Sequence, residues 1–209
     1  MRYIVWDWNG TLFDDVQVCI DVMNGMLTKR GIPELTPERY RDIFGFPVEG
    51  YYRAAGLDLE REPFTGLAQE FIAEYDRRAL SCGLRTGAET ALRALHGRGY
   101  AQIIASASER RALEDQVGRC GVTGYFEAIL GIGDILAVTK AGLAREYLRS
   151  KGIPPGSVTF IGDTGHDWQI AYELGCRCLL TAGGHESRAR LERTGCTVLS
   201  GLTELFSAI

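Results

Sequence analysis

The sequence predicts an α/β fold: a parallel sheet packed between helices in three layers, carrying a small all-helical insertion. Three features of the chain lead there. Short apolar runs rich in β-branched and aromatic residues recur along it; from about residue 84 they alternate with helical patterns; and between residues 15 and 83 helical periodicity persists without a buried strand. Such alternation marks βα units, and parallel strands, covered on both faces, read as unbroken apolar runs.

The first strand is expected at Tyr3, Ile4, Val5 and Trp6 and ends in Asp7. Val16, Ile20, Met23 and Leu27 then fall at helical spacing, while Gly31, Pro33, Pro37, Gly45 and Pro47 break the stretch into short helices. Residues 15–83 are therefore expected to form a helical cap with hinges near 13–15 and 81–87, leaving 1–14 and 84–209 as the α/β core. Beyond the second hinge the pattern predicts a helix at 89–96, a strand at 101–105 and a helix at 109–117 with the Ser108 hydroxyl as its cap. A strand at 128–130, a helix at 141–148, strands at 158–161 and 178–181, and a short sixth strand at 197–199 complete the series.

Composition narrows the function classes. At 209 residues the chain can bury one good core with a smaller insertion, and 45% hydrophobic with 24% charged residues is the profile of a folded globular protein. No apolar run approaches a membrane span, no signal-peptide pattern precedes the first strand, and the net charge of −4 gives no general attraction for nucleic acid. A cytoplasmic protein with a small-molecule partner, and neither a membrane nor a nucleic-acid partner, is expected. The oligomeric state is not legible. Cysteines 19, 82, 120, 176, 178 and 196 contain no Cys-x-x-Cys and read as reduced structural thiols.

Four polar signals follow predicted strands in order. Asp7 and Asn9 come after the first, Ser106 after the second, Lys140 at the start of a helix, and Asp163 to Asp167, within Gly-Asp-Thr-Gly-His-Asp, after the fourth. Ligands in open α/β sheets gather at the carboxyl ends of strands. Converging there, these residues would supply a carboxylate nucleophile, a hydroxyl and N–H groups for phosphate oxygens, an ammonium, and hard oxygen ligands of the kind Mg²⁺ takes.

The ordered set resembles the haloacid dehalogenase-like (HAD) superfamily over nearly the whole chain. Residues 7–12, Asp-Trp-Asn-Gly-Thr-Leu, look like motif I, Ser106 like motif II, Lys140 like motif III and residues 162–167 like motif IV, with a C1-type helical cap between I and II. Residues 44–47 and 183–187 are similar to the phosphoglycolate phosphatase-like branch. The resemblance implies a Rossmann-like core and a Mg²⁺-dependent phosphatase acting on a small phosphorylated metabolite. Asp7, Asn9 and Lys140 would be its catalytic positions, with Asp7 forming an aspartyl-phosphate. Asp7, the main-chain carbonyl of Asn9, Asp163 and Asp167 would hold Mg²⁺. Trp8, Asn9, Gly10, Ser106, Ala107 and Lys140 would bind the phosphoryl group.

Asn9 departs from the family pattern, in which an aspartate protonates the leaving alkoxide and then activates water. An amide does neither, so slow turnover of alkyl phosphates is expected, with aryl or acyl phosphates preferred. Two alternatives accompany this reading: a homologue that binds phospho-ligands without turnover, and a C–halogen or C–P hydrolase of the same fold. Asp14 and Asp15 read as hinge or helix-start residues, His185 and Ser187 as structural, and His166 as turned away from the ion. Phe46, Tyr51, Tyr52 and Arg53 either select substrate or form the cap's own core.

Overall fold

The computed structural model describes residues 1–133 and 139–209. Its sheet contains β1 (Tyr3–Trp6), β2 (Ala101–Glu109), β3 (Ala128–Ile132), β4 (Val158–Gly162), β5 (Arg177–Thr181) and β6 (Thr197–Leu199). All neighbours pair in parallel, in the order β3-β2-β1-β4-β5-β6. The α/β reading of the sequence is thereby met. Because the chain builds outward on one side of β1 and then on the other, the order reverses between β1 and β4, where open α/β sheets place their ligands.

Register brings the polar signals together. Trp6 is level with Ile104 on β2 and with Ile161 on β4, and the Asp7 N–H continues the ladder to the Ile161 carbonyl at 2.8 Å. Asp7 and Asp163 therefore leave β1 and β4 beside Ser106, which lies in β2 just past the register shift at Ala105. Each sheet face has its own apolar layer. Ile4, Trp6 and Ile104 pack against Leu92, Leu95 and Leu113 on one side, and Val5, Ile103 and Phe160 against Ala144, Leu148 and Ile170 on the other. The helices supplying those layers are α5 (Ala88–Gly97) and α6 (Arg110–Arg119) on the first face, α7 (Lys140–Ser150) and α8 (Gly165–Leu174) on the second. Short helices α9 (Arg188–Glu192) and α10 (Leu205–Ala208) lie late in the chain.

Four helices occupy the stretch between β1 and α5: α1 (Val16–Thr28), α2 (Pro37–Ile43), α3 (Val48–Ala55) and α4 (Phe64–Arg78). They share a separate apolar cluster in which Val16, Ile20, Met23 and Leu27 meet Tyr40, Tyr51, Tyr52 and Leu67. None of the described helices is long and apolar enough to cross a membrane.

One expectation fails at β2. This strand runs on to Glu109 because it resumes pairing with β3, Glu109 opposite Ile132, after a register shift beyond Ala105. Ser108 therefore lies inside the strand, and it is the Glu109 carboxylate that caps α6 by accepting from the Ala112 N–H at 2.9 Å.

Candidate active site

Asp7 stands just past the central strand, and the chain then turns tightly, with the N–H groups of Leu12 and Phe13 both donating to the Trp8 carbonyl. Gly10 makes the turn possible. Its φ is +69°, and a Cβ there would run into the His185 ring and the Asp163 carboxylate. Arg85 clamps the turn from outside, donating to the Gly10 carbonyl at 2.5 Å and to the Ala182 carbonyl at 2.9 Å.

Lys140 occupies the first turn of α7, where a cation opposes the helix dipole. Its ammonium is buried between two carboxylates, donating to Asp7 Oδ1 and, at 2.5 Å, to Asp167 Oδ1. Burial alone would lower its pKa, but Asp167 and Asp7 outweigh that and hold it above the ordinary value. Asp167 is set by the capping box of α8. Thr164 donates to its Oδ2 from the hydroxyl at 2.7 Å and from the main chain at 3.1 Å. Burial would raise Asp167; Lys140 and Thr164 together bring it below the usual carboxylate range. Asp7 goes the other way, raised chiefly by burial against the attraction of Lys140, with Asp167 and Asp163 adding repulsion.

Asp163 accepts from the Thr11 hydroxyl at 2.7 Å and from the His185 N–H at 2.6 Å. A Cβ at residue 184 would strike its carboxylate, so the glycine there is needed for the loop to approach. Burial raises the Asp163 pKa, with His185 opposing. Oxygen atoms of Asp7, Asp163 and Asp167 lie within 4.8 Å of one another, all three side chains buried. This all-oxygen, carboxylate donor set fits a small hard divalent cation such as Mg²⁺.

A second polar network surrounds Asn9 and is joined to Asp163 through His185. Asn9 donates through Nδ2 to Asp15 Oδ2 at 2.7 Å, and its Oδ1 accepts from the Ser108 hydroxyl at 2.7 Å and from Ser106 at 3.3 Å. Asp15 also accepts from the Tyr75 hydroxyl at 2.7 Å and the Gly10 N–H at 2.8 Å, with His185 Nε2 at 3.5 Å. The other ring nitrogen of His185 shares a hydrogen bond with the Tyr40 hydroxyl, 2.8 Å away, and Phe44 stacks on the ring. Asp15, Cys19 and His185 form a further buried group, but the Asp15 oxygens in it are already occupied by these donors.

Several expected placements change. The Gly10 N–H, expected at phosphate, is committed to Asp15 and to the Phe13 carbonyl. Among the described residues, the N–H groups of Trp8 and Asn9 carry no hydrogen-bond partner and remain available. The Trp8 side chain is buried and bonded to Gln116. Ser106 is buried beside Asn9, and Ala107 is exposed and lines the cavity described below. Asp14 is exposed, but Asp15 is fully buried at the site rather than a simple helix-start residue. Sequence reasoning missed Asp15, Ser108, Tyr40, Tyr75 and Arg85 as site residues. The one local signal was a second acid six residues after an amide that resembles a catalytic acid's position.

A cavity of about 520 Å³ opens between Asp7 and the helices α1–α4. Phe46, Tyr51 and Tyr52 line it, and the two tyrosines also belong to the helical core. Arg53 instead faces Glu60 on the exterior. His166 lines the cavity under the Phe46 ring, with its pKa lowered mainly by burial.

Residues 4–181 match the model of the haloacid dehalogenase-like hydrolase family. A phosphoglycolate phosphatase from Rhodobacter capsulatus is 26% identical, the match spanning 87% of this chain and 84% of the relative. An N-acetylmuramic acid 6-phosphate phosphatase from Pseudomonas aeruginosa is 25% identical, over 88% of this chain and 83% of its own. Among solved structures, a haloacid dehalogenase-like hydrolase from Streptococcus pneumoniae superposes with a TM-score of 0.85 at 21% identity, covering 100% of this chain and 98% of that one. At that identity the likeness speaks to the fold alone.

Proposed function

Because the chain belongs to the haloacid dehalogenase-like hydrolase family, we propose that it is a Mg²⁺-dependent phosphatase acting on a small phosphorylated substrate through an aspartyl-phosphate on Asp7. One observation carries the reading. The Asp7 carboxylate lies at the cavity, at the carboxyl end of the central strand, with Lys140 and two further buried carboxylates around it. Mg²⁺, held by Asp7, Asp163, Asp167 and the main-chain carbonyl of Asn9, would supply positive charge against the phosphoryl oxygens.

An Asp7 carboxylate oxygen attacks phosphorus as the bond to the leaving oxygen breaks. Lys140, the Ser106 hydroxyl and the free N–H groups of Trp8 and Asn9 are the donors that balance charge on the transferring group, the positioning and electrostatic work on which phosphoryl transfer depends. Water then attacks phosphorus, and Asp7 departs as a carboxylate. Asn9 cannot protonate the leaving oxygen, and losing general acid–base help typically costs roughly 10²- to 10⁴-fold in rate. Alkyl phosphates should therefore turn over slowly.

The test is hydrolysis of acetyl phosphate, p-nitrophenyl phosphate and phosphoglycolate, with and without Mg²⁺, by the wild type, Asp7→Asn and Asn9→Asp. Metal-dependent turnover abolished in Asp7→Asn is the expected result. No turnover in either the wild type or Asn9→Asp would leave a phospho-ligand-binding protein or a hydrolase of another bond.

A further inference from the structure

We propose that the substrate is an aryl phosphate monoester, a phosphorylated phenol whose ring fills the cavity beside Asp7; the inference rests on the phosphatase reading and specifies its substrate class. Two independent features select it. The first is the cavity wall. Away from Asp7 it is built from Phe44, Phe46, Val48, Phe64, Phe71 and Ile72, with Asp76 and Glu109 as acidic members. Lys140 is the only lysine or arginine among the described residues that line it, and its ammonium is already shared by Asp7 and Asp167. Beyond Lys140, the wall offers a second anionic group such as the carboxylate of phosphoglycolate only His166, stacked on Phe46, and His185, already held by Asp15 and Tyr40; its polar groups away from Asp7 include the Tyr51 and Tyr52 hydroxyls, set among aromatic rings. Tyr75 and Gln116 also face the cavity, the Tyr75 hydroxyl bonded to Asp15 and the Gln116 Oε1 to Trp8. Phe46 and Ile72, by contrast, are large apolar side chains left exposed, an arrangement that an apolar ligand would cover.

The second feature is Asn9. When the Asp7 oxygen attacks phosphorus and the P–O bond to an alkyl group breaks, the electron pair leaves on an alkoxide, a base about as strong as hydroxide. That departure needs a proton, and residue 9 has none to give. With an aryl ester the pair leaves on a phenolate, whose conjugate acid has a pKa of about 10, and departure proceeds unprotonated. Water then attacks the phosphorus of the aspartyl-phosphate, its proton passing to the phosphate oxygens as the P–O bond to Asp7 breaks, which releases inorganic phosphate and regenerates the Asp7 carboxylate in a step common to every ester. The chemistry at Asp7 and the shape of the wall thus call for the same leaving group.

The experiment compares kcat/KM for 2-naphthyl phosphate, phenyl phosphate, phosphoglycolate and acetyl phosphate with Mg²⁺, in the wild type, Phe46→Ala and Ile72→Ala. Both positions are partly exposed, so the variants are expected to fold, which circular dichroism checks. The expected order places naphthyl above phenyl and both far above phosphoglycolate, and each alanine lowers the naphthyl-to-acetyl ratio by about tenfold, the usual size of one lost apolar contact in a pocket. Turnover of acetyl phosphate together with phosphoglycolate equal to or better than the aryl esters overturns this inference alone, as does a ratio unmoved by both variants. Absence of turnover on every substrate, in Asn9→Asp as well, overturns the phosphatase reading and this inference with it.

Discussion

Asn9 donates its side-chain N–H to the buried Asp15 carboxylate at 2.7 Å, so the position where the family pattern places an acid is here the donor to one. An aspartate in its place would set two carboxyl groups face to face, that of Asp15 fully buried and that of residue 9 partly so. Like charges so close cannot both ionise. Asn9→Asp should therefore lower stability by about 1–3 kcal/mol, the scale of one badly matched buried polar contact. The double variant Asn9→Asp/Asp15→Asn should recover most of that loss. Thermal denaturation at pH 7 checks both; equal melting of the single and double variants would remove the contact from the explanation.

Asp15 and His185 make stability depend on pH. Burial would raise Asp15, but His185, Asn9 and Tyr75 outweigh it and hold the carboxyl below the usual range. Burial would lower His185, yet Asp15 and Asp163 hold it above its ordinary value. A depressed carboxyl contributes stability above its unfolded pKa of about 3.9 and loses it as pH falls through the folded value; a raised imidazole contributes below about 6.5 and loses it as pH rises through the folded value. Both contributions are complete only between about pH 4 and 6.5. The melting temperature should decline above that window, and in His185→Gln the alkaline decline should be lost.

Lys140 separates carboxylates that would otherwise face one another. Lys140→Met should destabilise the protein by about 3–5 kcal/mol, the cost of leaving buried charges unpaired. Millimolar Mg²⁺ should restore part of it, because a ligand bound only by the native state raises stability in proportion to the logarithm of its excess over Kd. Melting curves with Mg²⁺ and with EDTA give the answer. If the ion raises the melting temperature of Asp163→Asn as much as that of the wild type, Asp163 is not one of its ligands.

The Tyr51 hydroxyl is buried without a hydrogen-bond partner among the described residues, and burial pushes its pKa well up. Removing an unsatisfied donor while keeping the ring should leave stability unchanged or raise it by about 1 kcal/mol. Tyr51→Phe, measured by chemical denaturation, is the check. A loss of stability would mean the hydroxyl has a partner in solution.

The six strands were legible because a parallel strand covered on both faces must be apolar throughout, as at Ile103 and Ile104 or Phe160 and Ile161. Asp7, Ser106 and Asp163 could be placed at one edge because each follows such a run. The second network escaped for a different reason. Asp15 precedes Val16 as any helix-start acid would, and its partners Tyr75 and His185 lie on elements distant in sequence, so periodicity carries no trace of the contact. Ser108 was misread because a hydroxyl just before a helical pattern looks like a cap whether or not the strand has ended.

The loop at 184–187 ties two events into one equilibrium. Through Gly184, His185 and Ser187 it holds Arg41 and Tyr40 of α2, and through the His185 N–H it holds the Asp163 carboxylate. Any tilt of α2 away from the sheet pulls on a donor to Asp163. Whatever factor a docked α2 adds to the affinity for a cation at Asp163, the cation must return to the docking of α2.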